Sequence, residues 1–423
     1  MLPSPQFGGQ PISIQAERCL NTRHKGVSCR RCAEACPTQA IVLQNQNDHS
    51  FQGPLLPQLN VEQCVRCGLC LPACLTDAFS QPDPPEVKLV QTASNLPDAP
   101  LALVCAQHPD PTTTVAPAVA IVRHQRCLVA LSLSHLIDLS HNGRRDLWLD
   151  DTPCAKCPIG RVQPLIDQTA VATNRLLQAF GYPSAIHTIM SQPDLLAAEA
   201  GPKPLFEGNQ PKLSRRGLLS ALGKITQPAK PNTPPPSQPS TSGPVPVSRR
   251  LPHYLPVSRQ RLHRQLAHLG EPVEELLETA GLPFANVRID ANACSACRLC
   301  ARFCPTEALH FVDDAKSFGI SFKATLCLDC GICAVACPEN AVSFESQIRA
   351  RDLVSDERQW LVVGHSIPCA GCGELTAIRG DEADGQSFCY SCRGRGGQIS
   401  PFEDNTGLMA DLLQRLPDQK RER

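Results

Sequence analysis

Short apolar runs alternate with helical periodicity in the second quarter of the chain. LALVC (101–105), AIV (120–122) and DLWLDD (146–151) are apolar runs of strand length. Between the last two, CLVALSLSHLIDLSHNG (127–143) has apolar residues at helical spacing with a Gly just past its end. A further helix is expected from about Gln163 to Phe180. Strands and helices that alternate at these lengths predict a small parallel α/β unit.

Several stretches around this unit show other patterns. Residues 81–100 are a Pro-rich connector, and 226–250 are a Pro, Ser and Thr tract that predicts a semi-rigid extended linker between two similar halves. SRRGLLSALG (214–223) looks like a twin-arginine export motif, but its internal position and short apolar stretch favour an amphipathic segment. After the linker, RQRLHRQLAHLG (259–270) and PVEELLETAGLP (272–283) have the pattern of two helices.

Length and composition narrow the possible classes of protein. The 423 residues allow two to four domains, and the formal net charge of zero does not indicate a nucleic-acid surface. The 40 Pro and the 4% aromatic content suit small metal-held modules better than one large core. No apolar run reaches the length of a membrane span, and the first residues lack the basic and apolar regions of a signal peptide. These features predict a soluble protein.

Cysteine indicates both the chemistry and the compartment. The 24 Cys fall into C-x-x-C arrays of metal spacing, which disfavours a disulfide framework. Because thiolate clusters need a reducing interior, we expect a cytoplasmic location. The sequence shows no nucleophile–base pair, GxGxxG unit, phosphate loop or flavin-like site, so we do not expect an enzyme active on its own.

The strongest signal is a duplicated cysteine run. CSACRLCARFCP (294–305) and CLDCGICAVACP (327–338) both read C-x2-C-x2-C-x3-C-P, the run in which three thiolates hold one cubane iron–sulfur cluster and the fourth serves its neighbour. Two zinc sites are the alternative, which the duplicated spacing disfavours. With VRID, ALHFV, ISFK and AVSFE as short strands, residues 287–346 resemble a two-cluster bacterial ferredoxin. The resemblance implies one cluster on Cys294, Cys297, Cys300 and Cys337 and another on Cys304, Cys327, Cys330 and Cys333.

The same pattern recurs near the N-terminus with two departures. CRRCAEACPTQAIVL (29–43) and CVRCGLCLPACLTDAF (64–79) parallel the later runs, but the earliest Cys lies far upstream at Cys19, and Leu75 replaces the Pro. The resemblance to a two-cluster ferredoxin still holds. By motif order it implies one cluster on Cys19, Cys29, Cys32 and Cys74 and another on Cys36, Cys64, Cys67 and Cys70. Without Cys19, the first site would hold a three-iron cluster or take a ligand other than Cys.

The long spacing after Cys19 contains a basic insertion, NTRHKGVS (21–28). Its Arg23, His24 and Lys25 indicate one of two things. They form either a solvated loop or a patch that tunes the reduction potential or meets an acidic partner.

Four further cysteines belong to the α/β unit. Ligands in such units gather beyond the carboxyl ends of the strands. Cys105 ends one strand, Cys127 opens a helix, and Cys154 with Cys157 follows another strand, so we expect all four in one site. The arrangement loosely resembles the small iron–sulfur subunit that links hydrogenases to disulfide reductases, which implies a two-iron cluster. Zinc and four buried thiols without a metal are the alternatives.

The last pattern lies near the C-terminus, in PCAGCGEL and FCYSCRGRGG. Cys369, Cys372, Cys389 and Cys392 form two C-x2-C pairs whose separation falls in the zinc-ribbon range. Four Cys with no open position indicate structural zinc, with a rubredoxin-like iron as the alternative.

These patterns predict an α+β protein with two dicluster ferredoxin-like modules, a small α/β domain between them and a C-terminal zinc ribbon. The expected segments are ferredoxin-like modules at 1–85 and 287–350, the α/β domain at 100–200, an amphipathic segment at 201–225, the linker at 226–250, a helical pair at 251–286, the ribbon at 360–400 and a charged tail at 401–423. We expect a cytoplasmic polyferredoxin that passes single electrons through up to four 4Fe-4S clusters to or from a partner oxidoreductase. An assembly factor for a metal-dependent oxidoreductase is the alternative, and a redox sensor is a weaker one.

Overall fold

A computed structural model describes residues 6–45, 54–210, 251–313, 317–373 and 375–378, together with Phe388 and Cys392. The predicted linker (226–250), the SRRGLLSALG segment (214–223) and the charged tail (401–423) lie outside the described residues. Short helices and short strands are mixed along the described chain, which confirms the predicted mixture of α and β structure.

The described part of the N-terminal module contains four short strands and three short α-helices. The strands are β1 (Ser13–Ile14), β2 (Ile41–Asn45), β3 (Leu55–Leu59) and β4 (Phe79–Ser80), and the helices are α1 (Leu20–Arg23), α2 (Arg31–Ala35) and α3 (Cys70–Ala73). β1 pairs with β4 and β2 pairs with β3, both antiparallel. Buried Ile12, Ile41 and Phe79 pack with Cys32, so the module's small core includes a cysteine of the predicted sites.

A helix, α4 (Pro85–Ser94), occupies the region where the sequence predicted a Pro-rich connector. Pro85 lies in its first turn, where the backbone N–H that proline lacks has no partner in any helix. Leu89 and Ala93 are fully buried, and the carboxylate of Glu86 lies 3.2 Å from the guanidinium of buried Arg126. The prolines therefore begin this helix instead of preventing it.

The central region contains a five-stranded sheet. Its strands and helices are β5 (Leu101–Val104), β6 (Thr113–Thr114), β7 (Ala120–Arg123), α5 (Leu133–Leu139), β8 (Leu147–Leu149), α6 (Gln163–Ala179), β9 (Ile186–Thr188), α7 (Pro193–Leu196), β10 (Gly201–Pro202) and β11 (Leu205–Glu207). The strand order is β11-β7-β5-β8-β9, and every neighbouring pair is parallel. The carboxyl ends of β5, β7 and β8 therefore open at one edge.

The amphipathic segment predicted at 201–225 differs from expectation where the structure describes it. Its first residues form β10, which pairs with β6, and β11, which extends the parallel sheet beside β7. Arg123 of β7 and Glu207 of β11 form an ion pair at 2.6 Å across the two strands. A three-residue strand is too short to show a period in the sequence, so this edge strand could not be predicted from the pattern.

The C-terminal module follows the long helix α8 (Val257–Leu269). Its further elements are β12 (Leu276–Glu278), β13 (Asn286–Ile289), α9 (Leu299–Phe303), β14 (Leu309–Asp313), β15 (Ser317–Phe322), α10 (Ile332–Val335), β16 (Val342–Glu345), β17 (Gln347–Arg349), β18 (Gln359–Pro368) and β19 (Leu375–Ile378). β13 pairs with β16, and β14, β15, β18 and β19 form one antiparallel sheet. That sheet continues into residues 360–400, which the sequence predicted as a separate module.

The helical pair predicted at 251–286 is half wrong. Residues 259–269 are helical in α8, but PVEELLETAGLP (272–283) contains the strand β12, paired antiparallel with β17. Leu277 and its strand partner Ile348 are both buried, so these apolar residues pack in a two-stranded ribbon. Non-local pairing therefore outweighs the helix preference of this Glu- and Leu-rich stretch.

None of the described helices combines the length and the apolar character that a membrane span requires.

Candidate iron–sulfur and metal sites

Four cysteines of the C-terminal module line a single cavity, and they are Cys294, Cys297, Cys300 and Cys337. Burial raises the pKa of Cys300 to about 12, and the charges of the other three sulfurs add to that rise. The backbone N–H of Ala341 donates to the Sγ of Cys337 at 3.3 Å, as expected for a sulfur that carries negative charge. The structure thus brings together the first ligand set that the resemblance implies.

The second set of this module, Cys304, Cys327, Cys330 and Cys333, converges in the same way. Burial raises the pKa of Cys330 to about 12, with further contributions from the charges of Cys327 and Cys304. Burial also raises the pKa of Cys333, and the charge of Cys300 in the first set acts in the same direction. The two sets are therefore neighbours within one module.

Left-handed residues shape the loops that carry these sulfurs. Ala296 and Arg298 have φ values of 49° and 68°, and the equivalent Asp329 and Gly331 have φ values of 53° and 70°. Non-glycine residues rarely adopt such angles, so their recurrence at equivalent places marks a loop that its surroundings hold in shape. The N–H of Ala296 accordingly reaches the Sγ of Cys294 at 3.4 Å.

In the N-terminal module, Cys19 lies beside Cys29, Cys32 and Cys74 despite its distant position in the sequence. Burial raises the pKa of Cys32 to about 12, and the charges of all three neighbours add to the rise. Asn21 explains how the long spacing is closed. Its side chain accepts a hydrogen bond from the N–H of Cys29 at 2.7 Å and donates to the carbonyl of the same residue at 3.0 Å.

The remaining N-terminal set is Cys36, Cys64, Cys67 and Cys70. Burial, together with the charges of Cys36 and Cys64, raises the pKa of Cys67 to about 11. Cys70 begins helix α3, and Cys36 caps the C-terminus of helix α2. Because α2 also carries Cys32, a single helix supplies one sulfur to each set of the module.

The central unit brings its four cysteines to one cavity of about 550 Å³. Cys105, Cys127, Cys154 and Cys157 line it together with His108. Burial strongly raises the pKa of Cys127, and the charges of Cys105, Cys154 and also Cys67 act in the same direction. The predicted convergence is therefore present, and the cavity lies beside a cysteine of the N-terminal module.

The C-terminal pattern is described for three of its four cysteines. The Sγ atoms of Cys369, Cys372 and Cys392 all lie within 4.8 Å of one another, and the N–H of Gly371 donates to Cys369 at 3.4 Å. Cys389 lies outside the described residues. Sulfurs bound to zinc at about 2.3 Å lie close to one another, so the three fit part of a tetrahedral zinc site.

Burial restricts the charge that the sulfurs of the cubane and central sets can carry. Thiolate and not thiol is the metal ligand. Burial raises the pKa of Cys154 and Cys300 to about 12, so it disfavours their thiolates unless a positive charge compensates them. A coordinating metal supplies that charge and deprotonates the thiol. All-sulfur sets of four are the usual donors of iron–sulfur clusters.

Two groups near the sites could not be found from the sequence. Arg126 is fully buried, hydrogen-bonds Glu86 and Gln81, and lies close enough to Cys67 to favour its thiolate. Tyr254 donates from its hydroxyl to the carbonyls of Thr76 at 2.6 Å and Arg18 at 3.2 Å. Neither residue belongs to a motif, so only the folded chain reveals that it lies near a site.

Comparison with known protein families confirms the resemblance to two-cluster ferredoxins. The model of the 4Fe-4S dicluster domain matches residues 26–78 and again residues 293–341. The chain therefore carries two 4Fe-4S dicluster domains, one in each half.

Curated relatives match over short segments. The chain is 36% identical over 70 residues to NADH-quinone oxidoreductase subunit I of Pelobacter propionicus, which covers 14% of this chain and 37% of that protein. It is 33% identical over 64 residues to the ferredoxin-type protein NapF of Escherichia coli K12, covering 15% of this chain and 35% of NapF. The chain thus matches about a third of the length of these relatives.

Proposed function

We propose that this protein is a cytoplasmic polyferredoxin that takes up and releases electrons one at a time for a partner oxidoreductase. One observation supports the proposal: the four cubane sets and the central set of four cysteines lie in a continuous series of neighbours. Iron–sulfur clusters bound there supply one-electron redox chemistry. The names of the relatives support a role beside an oxidoreductase, because one is an oxidoreductase subunit and another is a ferredoxin-type protein.

The chain's own residues define the order of the series. Cys127 of the central unit neighbours Cys67. Helix α2 connects the set of Cys67 to the set of Cys19. The set of Cys19 faces the C-terminal module, where Arg31 donates to the carbonyl of Asp329 at 3.3 Å. Cys333 and Cys300 then join the last two sets. The order supports a one-dimensional electron path with the central unit at one end.

Anaerobic purification followed by metal analysis and redox titration tests this proposal. We expect four irons for each of the four cubane sets and reversible one-electron reduction of the bound clusters. Stoichiometric zinc with only trace iron would overturn it. Tight binding of a metal-free enzyme subunit without any electron transfer would instead support an assembly factor.

We further propose that Cys369, Cys372, Cys389 and Cys392 hold zinc that never changes its oxidation state. Cys372→Ser should remove one ligand, release the zinc and make the C-terminal segment sensitive to protease, because a segment with little core depends on its metal to fold. Zinc content and limited proteolysis measure both effects. The cubane spectra should stay unchanged, and their loss in this variant would contradict a separate structural site. Iron instead of zinc in the purified protein would indicate the rubredoxin-like alternative.

A further inference from the structure

The insertion of the N-terminal module (residues 21–28) packs against the C-terminal module. The ring of His24 meets the ring of Phe303 edge to face, with 4.6 Å between their centroids. The Gly26 backbone approaches helix α10 so closely that an added Cβ would lie 3.2 Å from Val335. The solvated-loop interpretation is therefore wrong for the core of the insertion, where Asn21 and Arg23 are only 3% and 6% exposed.

Arg23 makes the most specific contact of the insertion. Its guanidinium donates to three backbone carbonyls that lie more than two hundred residues away: Pro252 at 2.7 Å, Phe303 at 3.1 Å and Cys304 at 3.3 Å. Burial lowers the pKa of Arg23, while the charges of Cys304, Tyr254 and Cys330 oppose that shift. Arginine remains charged even when buried. A fixed positive charge therefore lies beside the set of Cys304, Cys327, Cys330 and Cys333.

A second contact joins the loop of the Cys19 set to the loop of the Cys304 set. Arg31 lies between Cys29 and Cys32, and Asp329 lies between Cys327 and Cys330. Besides the hydrogen bond to the Asp329 carbonyl, the Arg31 guanidinium is 3.9 Å from the Asp329 carboxylate. Both side chains are about half exposed, so this pair contributes little energy and mainly fixes the register of the facing loops.

We propose that the insertion is the internal junction between the two cluster pairs and that Arg23 raises the reduction potential of the cluster on Cys304, Cys327, Cys330 and Cys333. This inference rests on the proposed function. Reduction adds one electron, and hence one negative charge, to that site, and an external one-electron donor supplies it. A buried positive charge stabilises the reduced form more than the oxidised form, so it favours uptake of the electron at the C-terminal side of the junction.

Redox titration of the full chain tests the charge effect in Arg23→Gln. We expect one of the four cubane couples to fall in potential by the equivalent of about tenfold in its reduction equilibrium, about 59 mV for a one-electron couple. Lys25→Gln is the matched control, because it removes the same charge from an exposed position in the same insertion and should leave every couple in place. Arg23→Lys should keep the potential near that of the wild type, since it keeps the charge.

Amide hydrogen exchange tests the junction separately. Lysine cannot reach three carbonyls in the geometry of the guanidinium, so Arg23→Lys should speed exchange in residues 20–24 and 299–304, where Lys25→Gln should not. Equal exchange and equal potentials in the Arg23 variants and the Lys25 control would overturn this inference and leave the proposed function standing. A wild-type protein without reducible iron would overturn the proposed function as well, so the two failures are distinguishable.

Discussion

Cys19→Ala should convert one of the four cubane clusters to a three-iron form. The cysteine lies beside Cys29, Cys32 and Cys74, so its removal leaves three thiolates for a group that binds four. One iron then has no protein ligand and is lost. Electron paramagnetic resonance of the oxidised protein should show the three-iron signal, and the iron content should fall by about one atom.

Cys19 reaches its site from outside the residues that match the dicluster domain. The dicluster-domain match begins at residue 26, so it does not include Cys19. The structure brings Cys19 to the site only through the insertion, which Asn21 closes with its hydrogen bonds to Cys29 and to the carbonyl of Leu55 at 2.7 Å. Lys25→Ala, exposed in the same insertion, is the control and should leave the spectrum unchanged. An unchanged spectrum and iron content in Cys19→Ala would remove Cys19 from the ligand set.

Local cysteine spacing could predict the cubane sets because most of their ligands lie within a few residues of one another. Cys327, Cys330 and Cys333 share one loop and one short helix, and the repeat supplies the distant fourth sulfur. The same locality applies to the strands at 101–105 and 120–122, whose apolar runs match β5 and β7. Where chemistry and periodicity lie within about ten residues, sequence alone indicates the structure.

Contacts between distant segments could not be predicted in this way. The strand β12 depends on β17, about seventy residues later, and Arg23 of the insertion is buried against Pro252, Phe303 and Cys304 of the distant C-terminal part. Basic residues such as Arg23 normally lie in solvent, and nothing in NTRHKGVS marks the one that is buried. The junction between the modules is therefore a property of the folded chain and has no motif.

Loss of the central site should follow from two different substitutions, Cys154→Ser and Gly160→Ala. We propose that Cys105, Cys127, Cys154 and Cys157 hold a two-iron cluster, for which a cavity of about 550 Å³ leaves room. Burial, together with the charges of Cys105 and Asp151, raises the pKa of Cys154 to about 12, so burial disfavours a thiolate there unless a cation compensates its charge. Removing that sulfur should abolish a reducible signal that is distinct from the four cubane couples, measured by low-temperature electron paramagnetic resonance of the reduced protein.

Gly160→Ala reaches the same site without changing a ligand. A Cβ at Gly160 would clash with the backbone carbonyl oxygen of Cys154, so the loop that carries Cys154 and Cys157 must move. Overpacking of this kind costs about 1–3 kcal/mol in the free energy of unfolding and should weaken or remove the signal. Gly201→Ala is the matched control in the same unit, because nothing lies within 4 Å of its added Cβ.

The outcomes of these variants separate the three interpretations of the central site. A reducible signal that disappears in Cys154→Ser and Gly160→Ala but persists in Gly201→Ala supports a two-iron cluster. Zinc released by Cys154→Ser, with no reducible signal in the wild type, would make the site structural. Wild-type protein with neither iron nor zinc beyond the other sites would leave four thiols without a metal. In either of the last two cases the electron path would end at the set of Cys67, because the central unit would offer no redox group beyond it.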